Sequence, residues 1–258
     1  MTIPSVAITR PSGPPGSPLL VLGSSLGTST ILWDTVSPRL RESFRVCTFD
    51  LPGHGTSPAA SAPFTVGEIA LAVLDAVTAL DETVFHYAGV SLGGAVGLEA
   101  MLAASDRVAS AAIVCSGAQI GTREAWLDRA VLVRTRGTAA LVGDAAGRWF
   151  APGSIERIPV VAGRLLHDLA DTDDESYALC TEALASYTVR PLLANITAPV
   201  LALWGEHDPV VGRESAEEIA SGVRDGRAVM IEGAAHLAPA DQPEAVASAL
   251  LPFFEATR

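Results

Sequence analysis

The sequence predicts an α/β fold, a mostly parallel, doubly wound sheet with a helical lid inserted before its last two strands. Three observations predict it. Short, almost wholly apolar runs alternate with longer stretches of helical period, as expected of strands buried on both faces between crossover helices. One such run, Thr83 to Ala88, leads into Gly89-Val90-Ser91-Leu92-Gly93-Gly94 and then into a small-residue helical run, Ala95 to Ala104. That order is strand, sharp turn, helix, with the turn spelling G-x-S-x-G. From about Gly117 to Arg190 the apolar strand runs stop, and they resume only afterwards.

In chain order, residues 4–10 alternate weakly and are expected as an edge strand, followed by the Pro/Gly/Ser turn from Pro11 to Pro18. Leu19-Leu20-Val21-Leu22 is a buried strand that opens into a loop of small residues, Gly23 to Thr28. Trp33 to Glu42 has helical period, and Phe44 to Phe49 is the next strand, closed by Asp50-Leu51-Pro52-Gly53-His54-Gly55. Phe64 to Leu80 is an amphipathic helix, with Thr65 and Glu68 at capping-box spacing. After the strand and helix around Ser91, Val108 to Val114 is another strand. The segment 118–190 is helical in period and broken at Gly137, Gly147, Pro152-Gly153 and Pro159, so it reads as a lid. Then come a strand at Val200 to Trp204, a helix at Arg213 to Gly222, a strand at Ala228 to Ile231 and a helix at Pro243 to Phe254. The expectation is one domain over 1–258, with the lid above the carboxyl edge of the sheet, where open α/β sheets bind ligands.

Composition narrows the function classes. A net charge of −12 with no lysine repels phosphate backbones, which argues against nucleic acid as a partner. Mean hydropathy is +0.35. Every apolar stretch is nevertheless interrupted by charge, Pro or Gly before a membrane span is reached, so no membrane partner is expected. The first residues lack a basic segment followed by an apolar block, so no signal peptide is expected and the default location is the cytoplasm. Cys47, Cys115 and Cys180 are odd in number and far apart, which reads as reduced, buried thiols with no disulfide framework and no metal site.

The serine turn carries the chemistry. A turn this tight forces its middle residue into a strained conformation and crowds the flanking positions, which must be glycine; the hydroxyl of Ser91 then stands clear of the sheet as a nucleophile. Such a serine needs a base and the base needs an orienting acid, in the chain order Ser, Asp or Glu, His. Of the five histidines, His86 lies inside a strand, His54 in a turn, His167 on the lid, and His207 just before Asp208. His236 follows a strand in the loop Glu232 to His236, at the sheet edge where a base can reach Ser91. Glu206 and Asp208 are both candidates for the acid. Asp208 is favoured because Pro209 holds it extended and a short side chain can point back across the loop. Asp50 ends an earlier strand and is out of order. The oxyanion donors are expected to be the backbone N–H of Leu92, at a helix N-terminus, and that of Ser25.

These residues, with the stretches Ser24-Ser25-Leu26-Gly27-Thr28, Leu32-Trp33-Asp34, Gly147-Arg148-Trp149-Phe150 and Ala234-Ala235-His236-Leu237, resemble the α/β-hydrolase superfamily over essentially the whole length. Within it the sequence is most similar to the 3-oxoadipate enol-lactonases of aromatic catabolism. The resemblance implies an α/β-hydrolase fold and a cofactor-free serine hydrolase. It also implies a small lactone or ester substrate bearing a carboxylate, opened through an acyl-enzyme on Ser91 with His236 as base and Asp208 as orienting acid. Trp126, Trp149 and an arginine among Arg129, Arg134 and Arg148 are the candidates for substrate contact, Arg134 foremost. The alternatives are a carboxylesterase, a cofactor-free haloperoxidase-like hydrolase, or a ligand-binding relative without catalysis. A homo-oligomer is compatible with the sequence.

Overall fold

The apolar runs form the middle of a seven-stranded sheet in the order β1-β3-β2-β4-β5-β6-β7. A computed structural model describes residues 3–257; Met1, Thr2 and Arg258, which the single-domain expectation included, lie outside the described residues. The strands are β1 (Ala7–Ile8), β2 (Leu19–Gly23), β3 (Arg45–Asp50), β4 (Phe85–Val90), β5 (Val108–Val114), β6 (Val200–Gly205) and β7 (Gly226–Ile231). All pairings are parallel except β1 with β3. Every residue of β2 and β4 is buried, as continuous apolar strands covered on both faces require. Strand β7 closes one edge and leaves Val229 and Met230 exposed.

The helices are α1 (Ser37–Leu40), α2 (Val66–Thr78), α3 (Leu92–Ala103), α4 (Arg123–Arg136), α5 (Val142–Trp149), α6 (Ser154–Arg157), α7 (Pro159–Asp171), α8 (Asp174–Ser186), α9 (Arg213–Gly222), α10 (Ala238–Asp241) and α11 (Pro243–Ala256). The capping box is formed: Thr65 Oγ1 accepts from Glu68 N at 3.1 Å, and Glu68 Oε2 accepts from Thr65 N at 2.8 Å. Helices α4 to α8 lie between β5 and β6 in the chain, with α4 packed along α8. Among the described residues no helix is long and apolar enough to cross a membrane.

Two expectations need correction. The helix expected from Trp33 to Glu42 is instead a 3-10 turn, Thr30–Trp33, followed by the four-residue α1. Pro38 explains the break: it lacks an N–H and is tolerated only in a first helical turn, so a helix begins at Ser37 and cannot run through from Trp33. The edge strand expected over 4–10 pairs only at Ala7–Ile8, because it lies between Pro4 and Pro11 and Ala7 N donates to the Ser57 hydroxyl, not to a strand.

Topology places the site. From β2 the chain steps to β3 on one side of the sheet, and β4 to β7 then build outward on the other side. The carboxyl ends of β2 and β4 therefore lie together at the reversal, with Gly23 beside Gly89, and the loops that leave them open a crevice there.

Candidate active site

Ser91 joins β4 to α3 at φ 55° and ψ −117°, a conformation that costs a non-glycine residue about 1–3 kcal/mol. Its surroundings enforce it. Ser91 N donates to Val114 O at 3.0 Å, and Ser91 O accepts from Ala95 N at 3.0 Å and from Ser116 Oγ at 2.7 Å. The flanking glycines answer to close approach. A Cβ on Gly89 would stand 2.3 Å from Gly93 O, and one on Gly93 would stand 2.6 Å from Ser24 O. Tyr87 Oη donates to Gly93 O at 2.6 Å and fixes the first turn of α3. Ser91 precedes the helix but its side chain makes no capping hydrogen bond, so the hydroxyl is not consumed by the fold. Leu92 is the first residue of α3, where a backbone N–H has no partner inside the helix.

The loop after β2 faces this turn. Ser24 Oγ donates to Ser29 O at 2.9 Å, and Thr28 Oγ1 donates to Ser25 O at 2.8 Å. Its outer support is His54, whose turn role the sequence anticipated without revealing what it holds. Gly27 N donates to His54 Nε2 at 3.0 Å, so Nδ1 carries the proton and donates to Pro52 O at 2.9 Å. Burial is the main cause of a His54 pKa lowered from 6.5 to about 4. The unfolded chain therefore takes up a proton near pH 6.5, whereas the folded one resists until about pH 4. Stability rises with pH across that window, and the contribution is lost as the pH falls from 6.5 towards 4, by at most about 3 kcal/mol. The thermal midpoint is expected to fall further between pH 7.5 and 4.5 in the wild type than in His54→Gln. Equal falls would remove His54 from this role.

The base and its acid come from the ends of β7 and β6. His236 Nδ1 donates to Asp208 Oδ2 at 2.9 Å, with the two side chains 5% and 0% exposed. Asp208 Oδ1 accepts from Val210 N at 2.8 Å and Val211 N at 3.2 Å, so the carboxylate is clamped on its far side. Glu206 takes the other role: its Oε2 accepts from Gly233 N at 2.9 Å and ties the β6 turn to the β7 turn. No local pattern marks Asp241. Its buried Oδ2 accepts from Ala235 N at 2.8 Å and Ala151 N at 2.9 Å, joining the His236 loop to the end of the inserted helices. Leu237 N donates to Trp149 O at 3.0 Å across the same seam. His86 is buried in β4 beside the Ser110 hydroxyl at 2.8 Å, His167 is exposed on α7, and His207 is exposed beside Glu206.

Ser25, Ser91 and His236 line one cavity, which Trp126, Arg129, Arg148 and Trp149 close from the inserted helices. The Arg129 guanidinium lies over the Trp126 ring, 5.4 Å from its centroid. Arg148 pairs with Asp144 at 2.8 Å, and burial, with the charge of Arg129 beside it, lowers its pKa. Two cations thus face one pocket in an acidic protein. Arg134 is not among them, which corrects the leading expectation: it is held by the carboxylates of exposed Glu175 at 2.7 Å and half-buried Glu182 at 2.5 Å. The reason is helical phase. Trp126 and Arg129 are three residues apart on one face of α4, whereas Arg134 is five beyond Arg129 and turned about 140° away. Once Trp126 was taken as a wall, that spacing could have singled out Arg129. Among the described residues no group of three or more His, Cys, Asp or Glu is arranged to hold a metal ion.

Residues 15–249 match the model of the Alpha/beta hydrolase family. Two relatives of Acinetobacter baylyi are similar over most of their length. They are 3-oxoadipate enol-lactonase 2, 32% identical over 88% of this chain and 85% of its own, and 3-oxoadipate enol-lactonase 1, 33% identical over 90% and 87%. The crystal structure of the enol-lactonase from Burkholderia xenovorans superposes with a TM-score of 0.93 at 30% identity, covering 97% of this chain and 96% of that one.

Proposed function

The chain belongs to the alpha/beta hydrolase family, and on that footing we propose that this hydrolase opens 3-oxoadipate enol-lactone to 3-oxoadipate through an acyl-enzyme on Ser91. The observation that carries the substrate class is the pair of guanidiniums, Arg129 and Arg148, facing the cavity that Ser91 and His236 also line. A protein of net charge −12 repels a carboxylate in general, so a carboxylate substrate needs a local cationic receptor, and arginine suits it. The likeness to enol-lactonases over most of both chains supports the same reading.

In this reading Ser91 Oγ attacks the ring carbonyl while His236 Nε2 takes its proton. Asp208 holds the other ring nitrogen and stabilises the imidazolium. The N–H groups of Leu92 and Ser25 receive the developing oxyanion. The ring C–O bond breaks, the leaving enolate takes the proton back from His236, and the enol becomes a ketone. Water, deprotonated by His236, then attacks the acyl carbon and frees Ser91 and the second carboxylate. The sequence Ser91, Asp208, His236 thus needs only water as co-reactant. The test is the ratio of kcat/KM for the enol-lactone to that for a short p-nitrophenyl ester, with the lactone expected to be the better substrate.

A further inference from the structure

A second backbone outlier stands beside the serine turn. Cys115, the first residue after β5, is fully buried and has φ 44°, in the left-handed region that a side chain disfavours. Such strain persists only where the surroundings impose it, and an observed outlier of this kind points to a role. Strand β5 lies between β4 and β6, so whatever follows it must sit between the Ser91 turn and the Asp208 loop. A regular strand would send successive side chains to opposite faces of the sheet. The left-handed φ at Cys115 ends that alternation.

The two side chains reach opposite ways. Ser116, itself buried, donates from Oγ to Ser91 O at 2.7 Å. Cys115 donates from Sγ to Ala235 O at 3.6 Å, the carbonyl just before His236, and its thiol also lies against the Asp208 carboxylate. Cys115 N donates to Leu203 O at 2.8 Å, and Ser91 N to Val114 O at 3.0 Å, so the corner is bonded through its backbone to both neighbouring strands. Burial, and then the Asp208 charge, push the thiol well above its ordinary pKa, so it stays an S–H donor and not a competing nucleophile.

We propose that Cys115 and Ser116 are positioning residues, a strained corner that sets Ser91 at its working distance from the Asp208–His236 pair. The inference rests on the reading of Ser91 as nucleophile. Neither residue lines the cavity that Ser91 and His236 line. They act through the backbone carbonyl of Ser91 and through the acid and loop that hold His236, the three parts that different strands supply.

The test uses the full chain with Ser116→Ala, Cys115→Ala and Cys115→Ser. Three readouts are taken: the rate at which a small fluorophosphonate modifies Ser91, kcat and KM on the enol-lactone, and the thermal midpoint. The fluorophosphonate depends on the nucleophile, base and acid but not on the guanidinium pocket. Each alanine variant is expected to lose about tenfold in both phosphonylation rate and kcat, with KM within about twofold, because misplacing a catalytic group acts on the chemical step. Cys115→Ser keeps a donor of similar shape and is expected to recover most of the rate. If Cys115→Ala does not fold, Ser116→Ala and Cys115→Ser carry the same comparison. Phosphonylation and kcat at wild-type level in the variants, with only the thermal midpoint lowered, would overturn the inference and leave the corner merely structural. A wild type inert to the fluorophosphonate would overturn the reading of Ser91, and this inference with it.

Discussion

Ser91→Ala is expected to lower kcat by about 10⁵-fold while leaving the fold intact, since loss of a serine nucleophile leaves only binding and oxyanion stabilisation. The structure separates the two effects. The Ser91 hydroxyl caps no helix, and alanine has a Cβ like serine, so the strain at φ 55° is the same before and after. The backbone bonds to Val114, Ala95 and Ser116 do not involve the side chain that is removed. A thermal midpoint close to wild type, beside a kcat about 10⁵-fold lower, is the result to look for. Turnover within tenfold of wild type would remove Ser91 from the mechanism.

Asp208→Asn is expected to cost about 10³–10⁴-fold in kcat through the tautomer of His236. Oδ1 of Asp208 accepts from Val210 N and Val211 N, two groups that can only donate. An asparagine must therefore keep its amide oxygen there and present its NH2 to His236 Nδ1. The imidazole then accepts at Nδ1 and carries its proton on Nε2, the nitrogen that must be free to take the proton from Ser91. The packing of the acid is retained, so stability should change little. A variant within about tenfold of wild type would mean that the clamp does not set the tautomer.

The strands of the sheet centre were legible because burial on both faces leaves a continuous apolar run, as in Leu19 to Leu22 and Val108 to Val114. The helix start at Thr65 was legible because a capping box is a local pattern. The serine turn was legible for the same reason, since its glycines answer to contacts within the turn and with the adjacent loop. What sequence could not show is what the fold joins from far apart. His54 holds Gly27 from another loop, and Asp241 ties Ala151 to Ala235 with no motif to mark either bond. Only the pairing of the β6 and β7 ends gives Glu206 to Gly233 and Asp208 to His236; the sequence favoured Asp208 on local grounds but held both as candidates. Cys115 carries no local sign of strain, because its positive φ comes from strands β4 and β6 on either side. Arg134 was misplaced because α4 carries arginines on more than one face, and only their spacing from Trp126 separates Arg129 from Arg134.

We propose that this hydrolase selects a lactone by its carboxylate. The most direct measurement compares kcat/KM for three substrates under one condition: 3-oxoadipate enol-lactone, the same lactone with its carboxylate blocked as a methyl ester, and p-nitrophenyl acetate. A charge-assisted hydrogen bond exceeds the neutral one that the ester can still accept by about 1–1.5 kcal/mol, so with Arg129 and Arg148 both facing the cavity the free-carboxylate lactone should exceed its methyl ester by about 100-fold. It should exceed the acetate as well. Equal rates on the charged and blocked lactones, or a large preference for the acetate, would contradict the account.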